Sequence, residues 1–203
     1  ALDQCKARGV DKRIVFLCEW VEGADFPAVV VDNANGARLA VQHLHALGHR
    51  RIAYVEGPPC NVLTLSRKRG LEEECSKFGL EPPVIFPGDF SIESGQAAAR
   101  SLLCTDPRPS AVFCSSDTAA IGVITGLREG GLSVPQDVSV IGFDDIEMAA
   151  FYDPALTTIR QERRLLGRRA AELLVARLAG HETKGEVVPV TLVERGTTGP
   201  APA

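Results

Sequence analysis

Residues 138–161 read VSVIGFDDIEMAAFYDPALTTIRQ, and how this stretch is read decides the fold. It opens on an apolar run, VSVIGF, rich in β-branched side chains and short enough to be a buried strand. The run ends in two carboxylates, Asp144 and Asp145. A short helical piece follows, then PALTTI at 154–159, an extended link ending at Gln161. Buried parallel strands deliver their polar residues at their carboxyl ends, and open α/β sheets bind ligands there. Asp144 is therefore the first candidate for a ligand contact.

Outward from this strand the same alternation runs through the chain. Apolar runs predict strands at 13–18, 28–31, 51–55, 84–86, 111–114 and 187–194. Amphipathic segments predict helices at 35–47, 66–78, 91–103, 118–129 and 161–178, with Ser91 placed to cap the third. A helix closed by Gly9 opens the chain. The small-residue tail 196–203 is expected to fray. Strand and helix alternating over short linkers predict an α/β fold: a parallel sheet with helices on both faces and right-handed crossovers. There is no internal repeat.

The chain has 203 residues, 45% of them hydrophobic, enough for one large domain or two small ones. Its formal net charge is −4, whereas a surface that grips duplex DNA by itself is usually basic. None of the six cysteines forms a C-x-x-C pair. Cys18 and Cys114 sit in apolar runs that suit small buried thiols, and reduced thiols in a cytoplasm are the favoured reading over disulfides. No apolar run approaches the roughly 18 residues of a membrane helix, and no basic-then-apolar leader opens the chain. It begins at Ala1 inside a helical pattern, as expected of a piece of a longer protein.

Three predicted strands end in polar residues at matching places: Gly88-Asp89-Phe90, Ser115-Ser116-Asp117 and Gly142-Phe143-Asp144-Asp145. Arg67 stands near the start of the helix that follows the strand at Tyr54. In a parallel sheet these groups crowd one edge. A carboxylate accepts hydroxyl hydrogen bonds, a guanidinium donates a planar fork, and a phenyl ring offers a flat apolar face. Together they suit a small polar ligand with a C–H face, such as a sugar or nucleoside. The plainer alternative is that Asp89, Asp117 and Asp145 cap helices and Phe90 is core. Capping is the favoured role for Asp145. Pattern alone does not decide between the two readings.

A metal reading of His45 and His49, four apart, is disfavoured because Gly48 ends the helix between them and no Cys or carboxylate completes a ligand set. Enzyme readings lack their motifs: no G-x-S-x-G elbow, no phosphate-binding loop, no G-x-G-x-x-G. Asp144, Asp145 and Asp117 as Mg²⁺ ligands lack a nearby lysine to support phosphoryl transfer. Neither a metal nor a cofactor is expected.

These residues carry a resemblance. In order along the chain stand VVVDNANGARLAVQHLHALGHRRIAYVEG, then Arg67-x-x-Gly70, GDFSIESG, SSDTAAIGVITGLREGGLSVPQDVSVIGFDD, PALTTIRQ and LVERGTT. The chain so resembles the ligand-sensing region of the lactose/galactose-repressor family of bacterial transcription regulators, from Ala28 onward. The resemblance implies a periplasmic-binding-protein-like type I fold of two lobes with ligand between them, in a homodimer. Carried onto matching positions, it implies ligand contacts at Arg67, Phe90, Ser116, Asp117, Asp144, Gln161 and Asn35. It implies a dimer face at Ile121 and Thr125 on one helix and Met148, Phe151 and Tyr152 on another. Those last three are also too apolar for a solvent-facing short helix; the alternative is ordinary core. The implied C-terminal lobe is complete, at 32–160 and 190–203. The implied N-terminal lobe is partial, at 1–31 and 161–189, so this chain by itself would bind effector weakly or not at all. The family's helix-turn-helix domain lies outside this chain, so operator DNA is expected as a partner only through it. The runner-up is a secreted solute-binding protein delivering sugar to a transporter, since fold does not fix function. The L-T-T-I-R-Q and G-H-R-R-I signatures favour the regulator, in the cytoplasm and without a membrane partner.

Overall fold

The structure is a computed structural model that describes residues 13–21 and 23–202. The chain divides into two compact units. The first is 1–32 with 161–190, and the second is 33–160 with 191–203.

The second unit is built on a sheet whose strands run β4-β3-β5-β6-β7-β9. These are β3 (Ile52–Val55), β4 (Val84–Phe86), β5 (Ala111–Cys114), β6 (Ser139–Asp144), β7 (Thr157–Gln161) and β9 (Val190–Val193). The β3–β4, β3–β5, β5–β6 and β6–β7 pairs are all parallel. The predicted strand at 138–143 is β6, buried over its first five residues. The extended link predicted at 154–159 is instead a full strand partner, with Ile141 opposite Thr157 and Asp144 opposite Arg160.

The helices are α1 (Asn33–Ala46), α2 (Val62–Lys77), α3 (Ile92–Leu103), α4 (Asp117–Glu129), the short α5 (Glu147–Phe151) and α6 (Arg163–Leu178). Helix α2 begins four residues before the predicted start. Asn61 is its cap, accepting from Leu63 N at 2.9 Å, a signal hidden behind the Pro-Pro turn. Ser91 caps α3 as predicted, accepting from Ser94 N at 3.1 Å.

Side chains alternate across a strand, and here the two faces carry different cores. Ala53, Val55, Val112, Cys114 and Val140 pack with Ala98, Leu102, Val123, Ile124 and Leu127 of α3 and α4. The opposite face holds Tyr54 stacked on Phe113 at 5.4 Å, and Phe143 under residues of α1 and α2. Every strand residue of β3 and β5 is buried. That explains their continuous apolar reading, since a parallel sheet is covered on both sides. The thiols of Cys75 and Cys114 are buried, and those of Cys60 and Cys104 are exposed.

The tail does not fray. Thr197 is fully buried, accepting from Thr157 N at 2.9 Å and donating to Val140 O at 2.7 Å. Further along, Ala201 N donates to Leu47 O at 2.9 Å. His49 lies under this tail with its ring fully buried, 2.8 Å from Ser110 Oγ, 3.0 Å from Ser139 Oγ and 3.1 Å from the Gly199 carbonyl. Its partners are structural. His45 meanwhile stacks on Phe78 at 4.2 Å. Among the described residues no group of three His, Cys, Asp or Glu is placed to hold a metal ion.

The first unit holds β1 (Phe16–Leu17), β2 (Ala28–Val31) and β8 (Glu186–Val188), parallel in the order β1-β2-β8, with α6 packed on β1 and β2. The strand predicted at 13–18 is only two residues long. The final strand predicted at 187–194 is really two, β8 in this unit and β9 in the other sheet, with Pro189 between them. Proline cannot donate to a ladder, so it marks the change of sheet. Helix α6 begins at Arg163, because Gln161 is still strand. The helix predicted to end at Gly9 lies outside the described residues. Among the described residues, no helix is long and apolar enough to cross a membrane.

Candidate functional site

With four parallel pairs in register, the carboxyl ends of β3, β4, β5 and β6 fall on one edge of the sheet. The groups that sequence placed there do arrive together, but they take different jobs.

Arg67 sits in the second turn of α2 and is only 2% exposed. Its Nε donates to Asn33 Oδ1 at 2.9 Å, and its Nη1 donates to the Ser115 carbonyl. The guanidinium lies 3.6 Å from the centre of the Phe143 ring, a cation–π contact inside the protein. Gly70 explains the R-x-x-G spacing. A Cβ there would run into the backbone of Ala34, so α2 reaches α1 closely enough for Arg67 to meet Asn33 only because Gly70 has no side chain.

Phe90 is half-buried with φ +72°, outside the usual range for a side-chain-bearing residue. Its ring presses on Gly57, and the Thr64 hydroxyl lies against the same glycine. That hydroxyl and the Ser115 hydroxyl are buried with no hydrogen-bond partner. Asp89 serves the loop: its Oδ1 accepts from Ser91 N at 3.0 Å. The Ser91 hydrogen bonds hold the exposed Asp89 carboxyl below its ordinary range.

Ser116 and Asp117 were expected as contacts, and both are inward-facing. The Ser116 hydroxyl caps α4, accepting from Ala119 N at 3.1 Å, and donates to the Phe90 carbonyl at 3.1 Å. Asp117 is fully buried. Its Oδ2 accepts from Ile146 N at 2.8 Å and its Oδ1 accepts from the Thr158 hydroxyl. Burial pushes its carboxyl up to about 6, against the lowering pull of the Thr158 and Ile146 hydrogen bonds; Asp144 and Asp145 push the same way as burial.

Asp145, favoured as a cap from sequence, is not the cap of α5, whose N-cap position is Ile146 with no side-chain cap hydrogen bond. Asp145 bridges two arginines, Arg160 Nε at 2.6 Å and Arg195 Nη2 at 2.7 Å. Burial raises its carboxyl, but the two guanidiniums outweigh burial and hold it below the ordinary carboxylate range. Arg195 also donates to the Leu156 carbonyl at 2.7 Å.

Asp144, at the tip of β6, is half-buried with φ +123°, and Asp145 follows at +52°. Two consecutive non-glycine residues in this region are a costly arrangement that surrounding structure must enforce. Asn35, in the first turn of α1, is half-buried on the same unit. Gln161, the last residue of β7, is half-buried and falls in the first unit.

The residues expected at a dimer face also converge. The Thr125 hydroxyl donates to the Ile121 carbonyl at 2.8 Å and lies 3.1 Å from the Tyr152 hydroxyl. Tyr152 packs against the core, so the plainer reading holds for part of it. Met148 and Phe151 face outward, 55% and 77% exposed.

Sequence reasoning missed Asn33, Arg160 and Arg195. Asn33 stood in view beside Asp32 at a strand end. The two arginines carry no local signal, because their partner is 15 or 50 residues away in sequence.

A family model described as a periplasmic binding protein-like domain matches residues 41–198. Over 189 residues the chain is 38% identical to the HTH-type transcriptional repressor CytR of Escherichia coli K12, covering 91% of this chain and 55% of that protein. A solved LacI family transcriptional regulator from Enterococcus faecium with bound ribose superposes with TM-score 0.90 at 30% identity, covering 98% of this chain and 74% of that one. The lac repressor dimer bound to operator and the anti-inducer ONPF superposes with TM-score 0.84 at 33% identity, covering 91% and 65%. The chain spans about half the length of the curated relatives it matches. It belongs to the periplasmic binding protein-like domain family, in the form carried by transcription regulators of the lactose/galactose-repressor family.

Proposed function

We propose that this chain is the effector-sensing and dimerisation region of a bacterial transcriptional repressor, and that its effector is a small polar molecule, a sugar or nucleoside. The observation that carries this is the edge of the second unit. An ionisable carboxylate at a strained strand tip (Asp144), a half-buried ring on strained backbone (Phe90) and a buried guanidinium (Arg67) share one edge. The Asp144 carboxylate accepts ligand hydroxyls, and Phe90 covers a C–H face. Arg67 forms the floor, and Asn35 stands at the side. Gln161 completes the set of contacts carried by the family resemblance. Ser116 and Asp117 support these groups from below. The ribose in the Enterococcus regulator supports the sugar class.

Met148 and Phe151 form the centre of a homodimer face, flanked by Ile121, Thr125 and Tyr152. An outward phenyl ring beside an outward thioether is the composition of an interface core. The lac repressor dimer supports this reading. Operator DNA is contacted through a part of the protein outside these residues, in keeping with a net charge of −4 here. The setting is the cytoplasm, and the matched relatives are repressors, neither enzymes nor transport receptors.

The test is a thermal-shift screen of the full-length protein against D-ribose, cellobiose and adenosine. A saturable rise in Tm with one of them is expected. No response to any, at millimolar concentration, counts against the sugar-or-nucleoside reading.

A further inference from the structure

Three carboxylates crowd the tip of β6, and the geometry points to a division of labour among them: Asp145, with Arg160 and Arg195 as braces, is a positioning residue that aims Asp144, and Asp117 holds the same turn from the other side. This inference rests on the reading of Asp144 as the ligand carboxylate.

Asp144 at φ +123° and Asp145 at +52° hold conformations that L residues rarely adopt. Such residues persist only where the surroundings over-determine them. Here three separate elements do so. From β7, Arg160 reaches Asp145 Oδ2 at 2.6 Å. From the segment after β9, Arg195 reaches Asp145 Oδ1 at 2.7 Å. From the start of α4, Asp117 takes the Ile146 N–H at 2.8 Å. Asp145 and the residue just after it are thereby held in place, and Asp144 is the residue directly before them.

The two Asp145 bonds are charge-assisted, each to a different guanidinium, so they fix the carboxylate plane as well as its place. Arg195 is anchored in turn on the Leu156 carbonyl, and its own N–H donates to the Thr157 hydroxyl at 2.9 Å. The brace is therefore tied to the start of β7 and to the residue before it, and cannot swing freely. The Asp145 side chain is 11% exposed, Arg195 16% and Arg160 43%. Solvent reaches the brace mainly from the Arg160 side. The same turn leads through Ile146 into α5, which carries Met148 and Phe151. A ligand held by Asp144 and a partner seated on α5 would thus bear on one braced segment.

The test is a double-mutant cycle in the full-length protein, read by calorimetry with whichever of D-ribose, cellobiose and adenosine shifts the wild type most. Asp145→Asn is expected to weaken binding about tenfold. In an Asp144→Asn background the same change should add less than about threefold, because its effect passes through Asp144. A merely structural role would give the same loss in both backgrounds, and that overturns the inference, as does wild-type affinity in Asp145→Asn. If Asp144→Asn binds like wild type, the ligand reading itself has failed, an outcome distinct from failure of the brace. A ligand-free reading comes from amide hydrogen exchange at Ile146. It should speed up at least about tenfold in Asp145→Asn, or in the milder Arg160→Gln if the first variant does not fold. Unchanged protection overturns the inference.

Discussion

Replacing Asp117 by asparagine is expected to stabilise this protein. The folded carboxyl keeps its proton up to about pH 6, whereas its ordinary value is 3.8. Between those values the folded state binds more protons than the unfolded state, so stability falls as pH rises through that window. At about 1.4 kcal/mol per pH unit, the ionised group costs about 3 kcal/mol at pH 7 relative to its neutral form. The cause is burial: Asp117 has no solvent exposure, and its two neutral donors do not repay the lost hydration. Asparagine keeps the shape. Its Oδ1 accepts from Ile146 N, and its Nδ2 donates to the Thr158 hydroxyl, which turns to accept. The gain should approach about 3 kcal/mol at pH 7.5, or roughly 6–12 °C in Tm for a chain of this size. At pH 4, where wild-type Asp117 is already protonated, it should shrink below about 1 kcal/mol. Urea unfolding of both proteins at the two pH values measures it. A variant less stable than wild type at pH 7.5, or an equal gain at both pH values, would refute the reasoning.

Gly70→Ala should destabilise by about 1–3 kcal/mol, because its Cβ meets the Ala34 backbone, which cannot yield as a side chain would; chemical denaturation checks it. His49→Ala should cost about 2–4 kcal/mol by leaving Ser110, Ser139 and the Gly199 carbonyl short of a partner, and protease sensitivity of the tail should rise with it. Burial lowers the His49 pKa, opposed by the Gly199 carbonyl and aided by His43. The stability that depends on its neutral form is therefore present above about 6.5 and lost as pH falls below it, and a wild-type urea series from pH 8 to 5 would reveal it. Phe151→Ser should leave stability within about 0.5 kcal/mol, since the ring is 77% exposed, yet abolish self-association in sedimentation at tens of micromolar.

What sequence made legible was whatever a single strand or helix signals by itself. The buried runs of β3, β5 and β6 announced a covered parallel sheet, and parallel strands put Phe90, Ser116 and Asp144 on one edge without knowledge of any contact. What stayed hidden was set by partners far along the chain. Asp117 and Asp145 read as helix caps or contacts. Their roles are fixed by Ile146 and Thr158 in one case and by Arg160 and Arg195 in the other. The tail looked like fraying small residues because nothing local reveals that Thr197 supplies a hydrogen bond to each of two neighbouring strands. Helix α2 was read four residues short because its cap, Asn61, follows two prolines and a cysteine that look like loop.

The central claim is that Asp144 is the carboxylate that holds a small polar effector. Calorimetry of the full-length protein and of Asp144→Asn, with the best of D-ribose, cellobiose and adenosine, tests it most directly. Saturable binding to wild type is expected, with a loss of at least about tenfold in the variant and an unchanged circular dichroism spectrum. Equal affinity in the two proteins would contradict it.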